Sequence, residues 1–350
     1  MSVDTDVVVV GAGIAGALVA AGLAARGDRV TVLEAGPDQI RNDAVTRFRE
    51  TANRDTYPAA GYAPQGEYVQ LGPTDFGSGY LRRRGGSTWH WLGLVPRLLP
   101  SDFMMQTTFG VGVDWPISYE QLEPWYVKAE EELGVAGPRD ASLLLPPRRR
   151  PSPMPPIPAS YLDSVVSRAA SRIGLSVGLN PHARNSVNRR GRPPCCGSSS
   201  CVPICPIGAK YDATVHLAEA ERLGARVIVS SPVVAVRPRP GRVVVTMRPS
   251  GGATQTLSAR TVVLAANAIE TPKILLMSKS EESPRGLGNE HDQVGRYLMD
   301  HPQHSSSALA SEPLYPNRGP GSTSAIDAMR DGPKRSHRSG FRIEINNNAV

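Results

Sequence analysis

The first six residues hold two Asp and neither Lys nor Arg, the wrong sign of charge for a secretory signal peptide. Long apolar runs are also scarce. One uncharged, mostly apolar stretch covers 7–25, but Gly11, Gly13, Gly16 and Gly22 interrupt it, and the strand-like Val30-Thr31-Val32-Leu33 follows. A buried strand, turn and helix account for that pattern better than a lipid-facing helix. Export or membrane attachment is therefore expected to depend on a partner chain. No internal repeat is present, which excludes a solenoid. No nucleic-acid-binding motif accompanies the net charge of +7. Its clusters, Arg148–Arg150 and Arg189–Arg192, are read as a solvated face rather than as a dock for an acidic partner or anionic membrane. Aromatics make up only 5%, and the only four cysteines fall in one stretch of eleven residues, so a scattered disulfide framework is excluded.

What is present is a globular balance, with 40% apolar and 20% charged residues. The 34 Gly and 32 Pro among 350 residues point to many turns, and the length suits one large domain or two ordinary ones. Val7–Val10 reads as a fully buried strand, Ile14–Arg26 as an Ala- and Leu-rich helix, and Val30–Glu34 as a second, parallel strand. From Arg41 to Gln70 the chain is polar and irregular. Ser118–Leu133 and Tyr161–Ile173 have helical patterns, joined by a Pro- and Arg-rich extended connector at Pro146–Pro158. Ala213–Leu223 is helical. Arg226–Ser230, Val233–Arg237, Arg242–Met247 and Arg260–Ala265 form a strand and then a meander that re-enters a parallel sheet. Ser305–Gly340 shows little periodicity, and Phe341–Ile345 starts a further strand.

Gly11-Ala12-Gly13-Ile14-Ala15-Gly16 lies between a strand and a helix, the setting in which G-x-G-x-x-G is informative. Gly11 allows the tight turn, Gly13 lets backbone approach a pyrophosphate, and Gly16 lets helix pack closely on strand. The helix N-terminus offers unpaired N–H groups and partial positive charge to phosphates. Glu34, closing the second strand, is placed to accept hydrogen bonds from a ribose 2′-OH and would repel a 2′-phosphate. A dinucleotide site follows; these residues alone do not decide between FAD and NAD.

Glu34-Ala35-Gly36-Pro37 resembles the E-A-G segment of FAD-binding oxidoreductases. Gly85-Gly86-Ser87-Thr88, Ala265–Pro272 and Val294–Pro302 resemble, in order, conserved segments of the glucose–methanol–choline (GMC) oxidoreductases. The resemblance spans nearly the whole chain. It implies an α/β fold: an FAD-binding, Rossmann-like domain of the glutathione-reductase type over 1–101 and 206–302, with an incomplete substrate-binding region over 102–194 and 303–350 and a cysteine loop at 195–205. It places Gly85 and Gly86 near flavin and pyrophosphate, Ala265 and Ala266 at the FAD, and Val233 or Val234 against adenine through backbone atoms. Asn267 departs from the Gly of many relatives and would tighten its loop. Trp89-His90-Trp91 reads as a packed aromatic wall with a hydrogen-bonded His, in preference to covalent flavin attachment at His90.

Cys195, Cys196, Cys201 and Cys205, with Pro206 after the last, admit disulfides, zinc or an iron–sulfur cluster. Zinc usually uses paired C-x-x-C spacing, which is absent, while iron–sulfur loops accept such gaps and often end in Cys-Pro. In an extended loop Cys195 and Cys196 point to opposite sides, leaving three ligands for one centre. The segment Cys195–Asp212 also resembles the flavoprotein subunit of membrane-bound FAD-dependent glucose, gluconate and sorbitol dehydrogenases. That resemblance implies a [3Fe–4S] cluster on Cys195, Cys201 and Cys205, a cytochrome c partner, and a small export or chaperone subunit that would bring the chain to the periplasmic face of the membrane; without such partners a cytoplasmic location is expected.

The implied activity is oxidation of a CH–OH group in a sugar or polyol, with electrons leaving flavin through the cluster. The catalytic His of this family lies in a segment beyond Asp300-His301-Pro302 that finds no match here. None of His90, His182, His216, His291, His301, His304 and His337 occupies that position, so no catalytic base is nominated; His301 is expected to be structural or flavin-proximal. The chain is expected to be a truncated sugar dehydrogenase. The alternatives are a non-catalytic flavin and cluster carrier relying on another chain, and a cluster-free oxidase.

Overall fold

The computed structural model describes residues 3–51, 71, 80–138, 145–198, 200–249 and 251–347. In chain order the elements are β1 (Thr5–Val10), α1 (Ile14–Ala25), β2 (Val30–Leu33), α2 (Arg41–Glu50), α3 (Met105–Phe109), α4 (Tyr119–Leu133) and β3 (Val135–Ala136). Then follow α5 (Tyr161–Ser171), β4 (Gly178–Leu179), β5 (His182–Ala183), α6 (Thr214–Arg222) and β6 (Arg226–Ile228). The rest are β7 (Val233–Arg239), β8 (Arg242–Met247), β9 (Gln255–Leu264), α7 (Asn267–Met277), β10 (Ser322–Ile326) and β11 (Ile343–Asn346). The chain forms two compact units: Met1–His90 with Asp212–His304, and Trp91–Tyr211 with Ser305–Val350. Residues 91–101 and 206–211, expected with the nucleotide-binding part, thus belong to the second unit.

The first unit is an α/β sandwich on a six-stranded sheet of order β6-β2-β1-β9-β8-β7. β6, β2, β1 and β9 run parallel, and β7, β8 and β9 form the antiparallel meander. β1 is valine on both faces because both are covered, as a central parallel strand requires. Val7 and Val9 pack with α1 and α6, where Ala17, Ala20, Ala24, Leu217 and Ala220 form the facing layer. Val8 and Val10 pack on the opposite face with Val236, Val245, Met247 and Ile274. Each fully buried valine contributes on the order of 1.5–3 kcal/mol. One expectation is corrected in this unit: Arg41–Glu50 is a helix rather than irregular chain. The remainder of that stretch, 52–70, lies outside the described residues.

The second unit holds the sheet β11-β10-β4 and the ribbon β3-β5. The capping box of α4, with Gln121 N–H donating to Ser118 Oγ at 3.3 Å and Ser118 N–H to Gln121 Oε1 at 2.8 Å, fixes where that helix begins. β10 falls inside the stretch expected to lack periodicity. All five of its residues are buried, and three carry hydroxyls. Burial is tolerable because Thr323 and Ser324 donate to the buried Asp163 carboxylate, both at 2.5 Å.

The reading of the basic clusters is corrected in part. Arg149, Arg150 and Arg190 are exposed, as a solvated face implies, but several cluster members also pair with the acidic run of α4. Arg148 donates to Glu130 at 2.5 Å, Arg189 to Glu131 at 2.6 Å and Arg190 to Glu132 at 2.7 Å. Arg97, almost wholly buried, forks onto Glu130 at 2.8 and 2.9 Å and reaches Glu123 at 3.0 Å. Among the described residues no helix is long and apolar enough to cross a membrane.

Candidate functional site

Two glycine turns meet in the first unit. Gly11, at φ +102°, ends β1, and a Cβ there would stand 2.5 Å from the Ala265 carbonyl oxygen at the end of β9. A Cβ on Gly16 would stand 1.9 Å from the Gly11 carbonyl oxygen, so α1 can lie this close to the turn only without a side chain. Gly13 differs: a Cβ there would meet nothing within 4 Å. Its smallness is not demanded by the protein's own packing. Gly13 is also the N-cap of α1, with no side chain capping the helix and no acid in the first turn. The first-turn N–H groups are thus left without a capping side chain of their own.

Against this turn lies the second. Gly85 N–H donates to the Ala12 carbonyl at 3.1 Å, and a Cβ on Gly86 would stand 3.1 Å from the Gly13 Cα. Both residues have positive φ, +94° and +56°. Gly85 is further confined by Trp89, whose indole Nε1 donates to the Arg84 carbonyl at 2.8 Å. That buried indole fits the packed-wall reading for Trp89, and Arg41 of α2 lies over it while pairing with Asp212. Arg41 and Asp212 escaped the sequence reading because α2 itself did.

Glu34 is 5% exposed, and its two oxygens accept from Ala12 N–H and Gly36 N–H, each at 2.9 Å. Burial pushes its carboxyl up, against the backbone N–H groups that favour the charge. Each oxygen keeps a second lone pair for a further donor. A Cβ on Gly36 would stand 1.8 Å from the Arg82 carbonyl oxygen, so the E-A-G glycine is the place where Arg82–Arg84 pass the end of β2. Ser230 and Ser231 N–H groups donate to the Gly36 and Glu34 carbonyls at 2.7 and 2.8 Å, which brings the start of β7 to the same end of the sheet. There the β7–β8 register shifts between Val233 and Ala235, so Val234 is the extra residue of a bulge, outside the ladder.

Ala265 N–H donates to Val10 at 2.8 Å, and Ala266 N–H to Thr271 Oγ1 at 3.1 Å. Asn267 has φ +67°, a conformation open to Gly and Asn but costly for most residues. Its Oδ1 accepts from Ile269 and Glu270 N–H at 2.9 and 3.0 Å and so caps α7, which accounts for the departure from glycine. The first unit thus gathers Gly11, Gly13, Gly16, Gly85, Gly86, Ala265 and Ala266 around one turn. His301 does not join them. Its side chain is 93% exposed, with Asp300 Oδ1 at 3.6 Å.

In the second unit the four cysteines form no disulfide with one another. Cys201 and Cys205 are buried, Cys195 is half-buried and Cys196 is exposed. The completely buried guanidinium of Arg184 donates from Nη1 to Cys201 Sγ at 3.2 Å and to Cys195 Sγ at 3.7 Å. Cys205 Sγ accepts from Lys210 N–H at 3.4 Å. Among the described residues no three His, Cys, Asp or Glu side chains stand close enough together to hold a metal ion; a cation, not a common centre, joins the sulfurs. Arg184 and Lys210 carried no signal in the sequence. Nearby His182 is buried, which holds its imidazole down to about 3, with Arg184 and Arg342 adding to the effect.

A family model described as GMC oxidoreductase matches residues 111–303, and one described as FAD dependent oxidoreductase matches residues 6–44. The chain is 38% identical to the fructose dehydrogenase large subunit of Gluconobacter japonicus, over 99% of this chain and 68% of that one. It is 31% identical to the 2-methyl-1,2-propanediol dehydrogenase of Mycolicibacterium austroafricanum, over 85% and 55%. A gluconate 2-dehydrogenase flavoprotein from Pantoea cypripedii is 26% identical over 53% and 35%. The chain therefore spans roughly half to two-thirds of the length of the first two relatives.

Proposed function

The chain belongs to the GMC oxidoreductase family, and from that premise we propose that it is the flavoprotein part of an FAD-dependent dehydrogenase of a sugar or polyol. The observation that carries this reading is Gly13, bare on its outer side while Gly11 and Gly16 are filled by neighbouring backbone. That is the arrangement a pyrophosphate needs to approach main-chain N–H groups at a helix start. The cradle fits the cofactor. Gly13 and the first turn of α1 would hold the pyrophosphate, with Gly85 and Gly86 beside it. Glu34 accepts from the adenosine ribose, and the bulged Val234, with Val233, offers backbone atoms to adenine. Ala265 and Ala266 border the FAD at the end of β9. FAD, when bound, supplies a two-electron acceptor for hydride from a carbinol carbon. The hydroxyl proton needs a base, and none is assigned to this chain.

The relatives named for fructose and 2-methyl-1,2-propanediol support a polyol-type substrate. The test is gentle isolation of the full-length gene product, which should release a yellow FAD chromophore on denaturation and reduce an artificial acceptor with sugars or polyols. A colourless protein would end the reading.

A second reading concerns the cysteine loop: a [3Fe–4S] cluster on Cys195, Cys201 and Cys205, passing electrons to a cytochrome c subunit, with a small subunit for export to the periplasmic face of the membrane. The chemistry of the donor set supports it. Three sulfurs share one buried cation, Cys196 is set apart by its exposure, and Cys205 already accepts a backbone N–H. The reading requires the three sulfurs to close up on iron. Iron and acid-labile sulfide in the full-length protein decide between it and a cluster-free oxidase, which would form peroxide instead. FAD and iron without turnover would mark a carrier that relies on another chain.

A further inference from the structure

Gly85 and Gly86 both sit at positive φ and carry no side chain, so the second glycine turn has little with which to pin itself. A neighbouring hydroxyl does so. Thr88, in the 3₁₀ helix Gly86–Trp89 and 5% exposed, donates from Oγ1 to the Gly85 carbonyl. The same oxygen accepts from Ala213 N–H at 2.9 Å, 125 residues away in sequence. Donor and acceptor capacity of the hydroxyl are thus both used inside the protein. Ala213 is wholly buried and is the N-cap of α6, so its N–H depends on this acceptor rather than on water. The start of α6 is itself anchored: Thr214 N–H donates to Asp212 Oδ1 at 3.2 Å, and Arg41 of α2 pairs with Asp212. One end of the Thr88 bridge is therefore a fixed helix start, and the other is the turn that stands against Gly13.

We propose that Thr88 is a positioning residue of the FAD site, whose hydroxyl ties Gly85 to α6 and so holds the second glycine turn at the separation from Gly13 that the dinucleotide requires. The proposal deepens the FAD reading above and rests on it. Both bonds of the hydroxyl go to protein, so Thr88 acts through Gly85 rather than on the cofactor. Without the hydroxyl, the Gly85 carbonyl and the Ala213 N–H lose their shared partner. In the free protein the turn then relaxes and lets water reach them. FAD binding has to draw the turn back and dry both groups, so the loss falls on affinity more than on the fold of the apoprotein.

The experiment uses the full-length protein as wild type, Thr88→Val, Thr88→Ser and Thr88→Ala. FAD content on isolation is measured, each protein is stripped and titrated with FAD by flavin fluorescence, and urea midpoints of the apoproteins are recorded. Thr88→Val, which keeps the shape and lacks the hydroxyl, should bind FAD about tenfold more weakly, the size of one buried donor left unsatisfied, with an apoprotein midpoint near wild type. Thr88→Ser, which keeps the hydroxyl, should bind FAD as wild type does. Should Thr88→Val not fold, Thr88→Ala and Thr88→Ser decide, because they differ in the hydroxyl alone; weaker binding confined to Thr88→Ala supports the bridge. Equal affinity in all variants, or an equal loss in Thr88→Ser and Thr88→Ala, overturns the proposal and leaves the FAD reading intact. A loss of apoprotein stability with affinity unchanged does the same. A wild-type protein that is isolated without flavin and takes none up removes the FAD reading, and the proposal with it.

Discussion

In the glycine turn of the first unit, Gly11 with Ala265, Gly16 with Gly11 and Gly86 with Gly13 approach backbone against backbone. In the cysteine loop of the second unit, side-chain cations make the contacts: the Arg184 guanidinium donates to the Cys201 and Cys195 sulfurs and Lys210 Nζ to the Cys201 carbonyl. The first site is specified by excluded volume, which acts in the folded chain alone. The second is specified by charge, with a buried guanidinium held against two sulfurs and a carbonyl. Volume is written into residue size and spacing, whereas charge balance depends on which distant residues come together.

The sharpest break in this comparison is within the first site. Gly16→Val should abolish the fold of the first unit, a loss upward of about 4 kcal/mol seen as absence of a cooperative thermal transition, because no rotamer relieves a backbone clash. If Gly16→Val folds normally, excluded volume is not what shapes the turn.

The next effect tests the second site through its charge. His182 is held down to about 3 from an ordinary 6.5, so the unfolded chain takes up a proton first as the solution is acidified. The stability this neutral imidazole contributes is complete above pH 6.5 and drains away as pH falls toward 3. The total is several kcal/mol at most. Urea midpoints of the apoprotein should fall across that window and flatten in His182→Gln. A wild-type profile unchanged in the variant would show that the cations beside His182 do not govern the region.

Gly13→Val separates fold from cofactor. Apoprotein stability should stay within about 1 kcal/mol of wild type, since the added side chain enters open space at an N-cap. FAD affinity should fall at least about tenfold by fluorescence titration, or 1.4 kcal/mol. Equal FAD binding would show that the open side of Gly13 does not face the pyrophosphate. The smallest effect belongs to Arg190→Ala on the partly exposed pair with Glu132, where less than about 1 kcal/mol of chemical-denaturation stability should be lost. A larger loss would mean that the α4 pairings act as one network.

Legibility followed the same division. The strand, turn, helix and strand of 5–33 were readable because hydrophobic run, glycine spacing and a closing acid all agreed. Helix α2 was not, since Ala44, Val45 and Phe48 are its only buried residues among charged neighbours. β10 hid because Thr323 and Ser324 are buried by pairing with the Asp163 carboxylate about 160 residues away, and Ser322 by accepting from Asn180, rather than by apolarity. The arginine clusters looked solvated because their glutamates lie up to 58 residues distant, at Glu131 and Glu132. The special demands on Gly36 and Asn267 could be sensed only as family resemblance until Arg82 and the positive φ supplied the reason.

The contact of Gly86 with Gly13, and of Ala265 with Gly11, carries a consequence for the order of events in synthesis. The phosphate-facing lip is a seam of three strips of chain far apart along the polypeptide, so a nascent N-terminal fragment has only one of its edges. A ligand held at this seam would need β1 and β9 already paired.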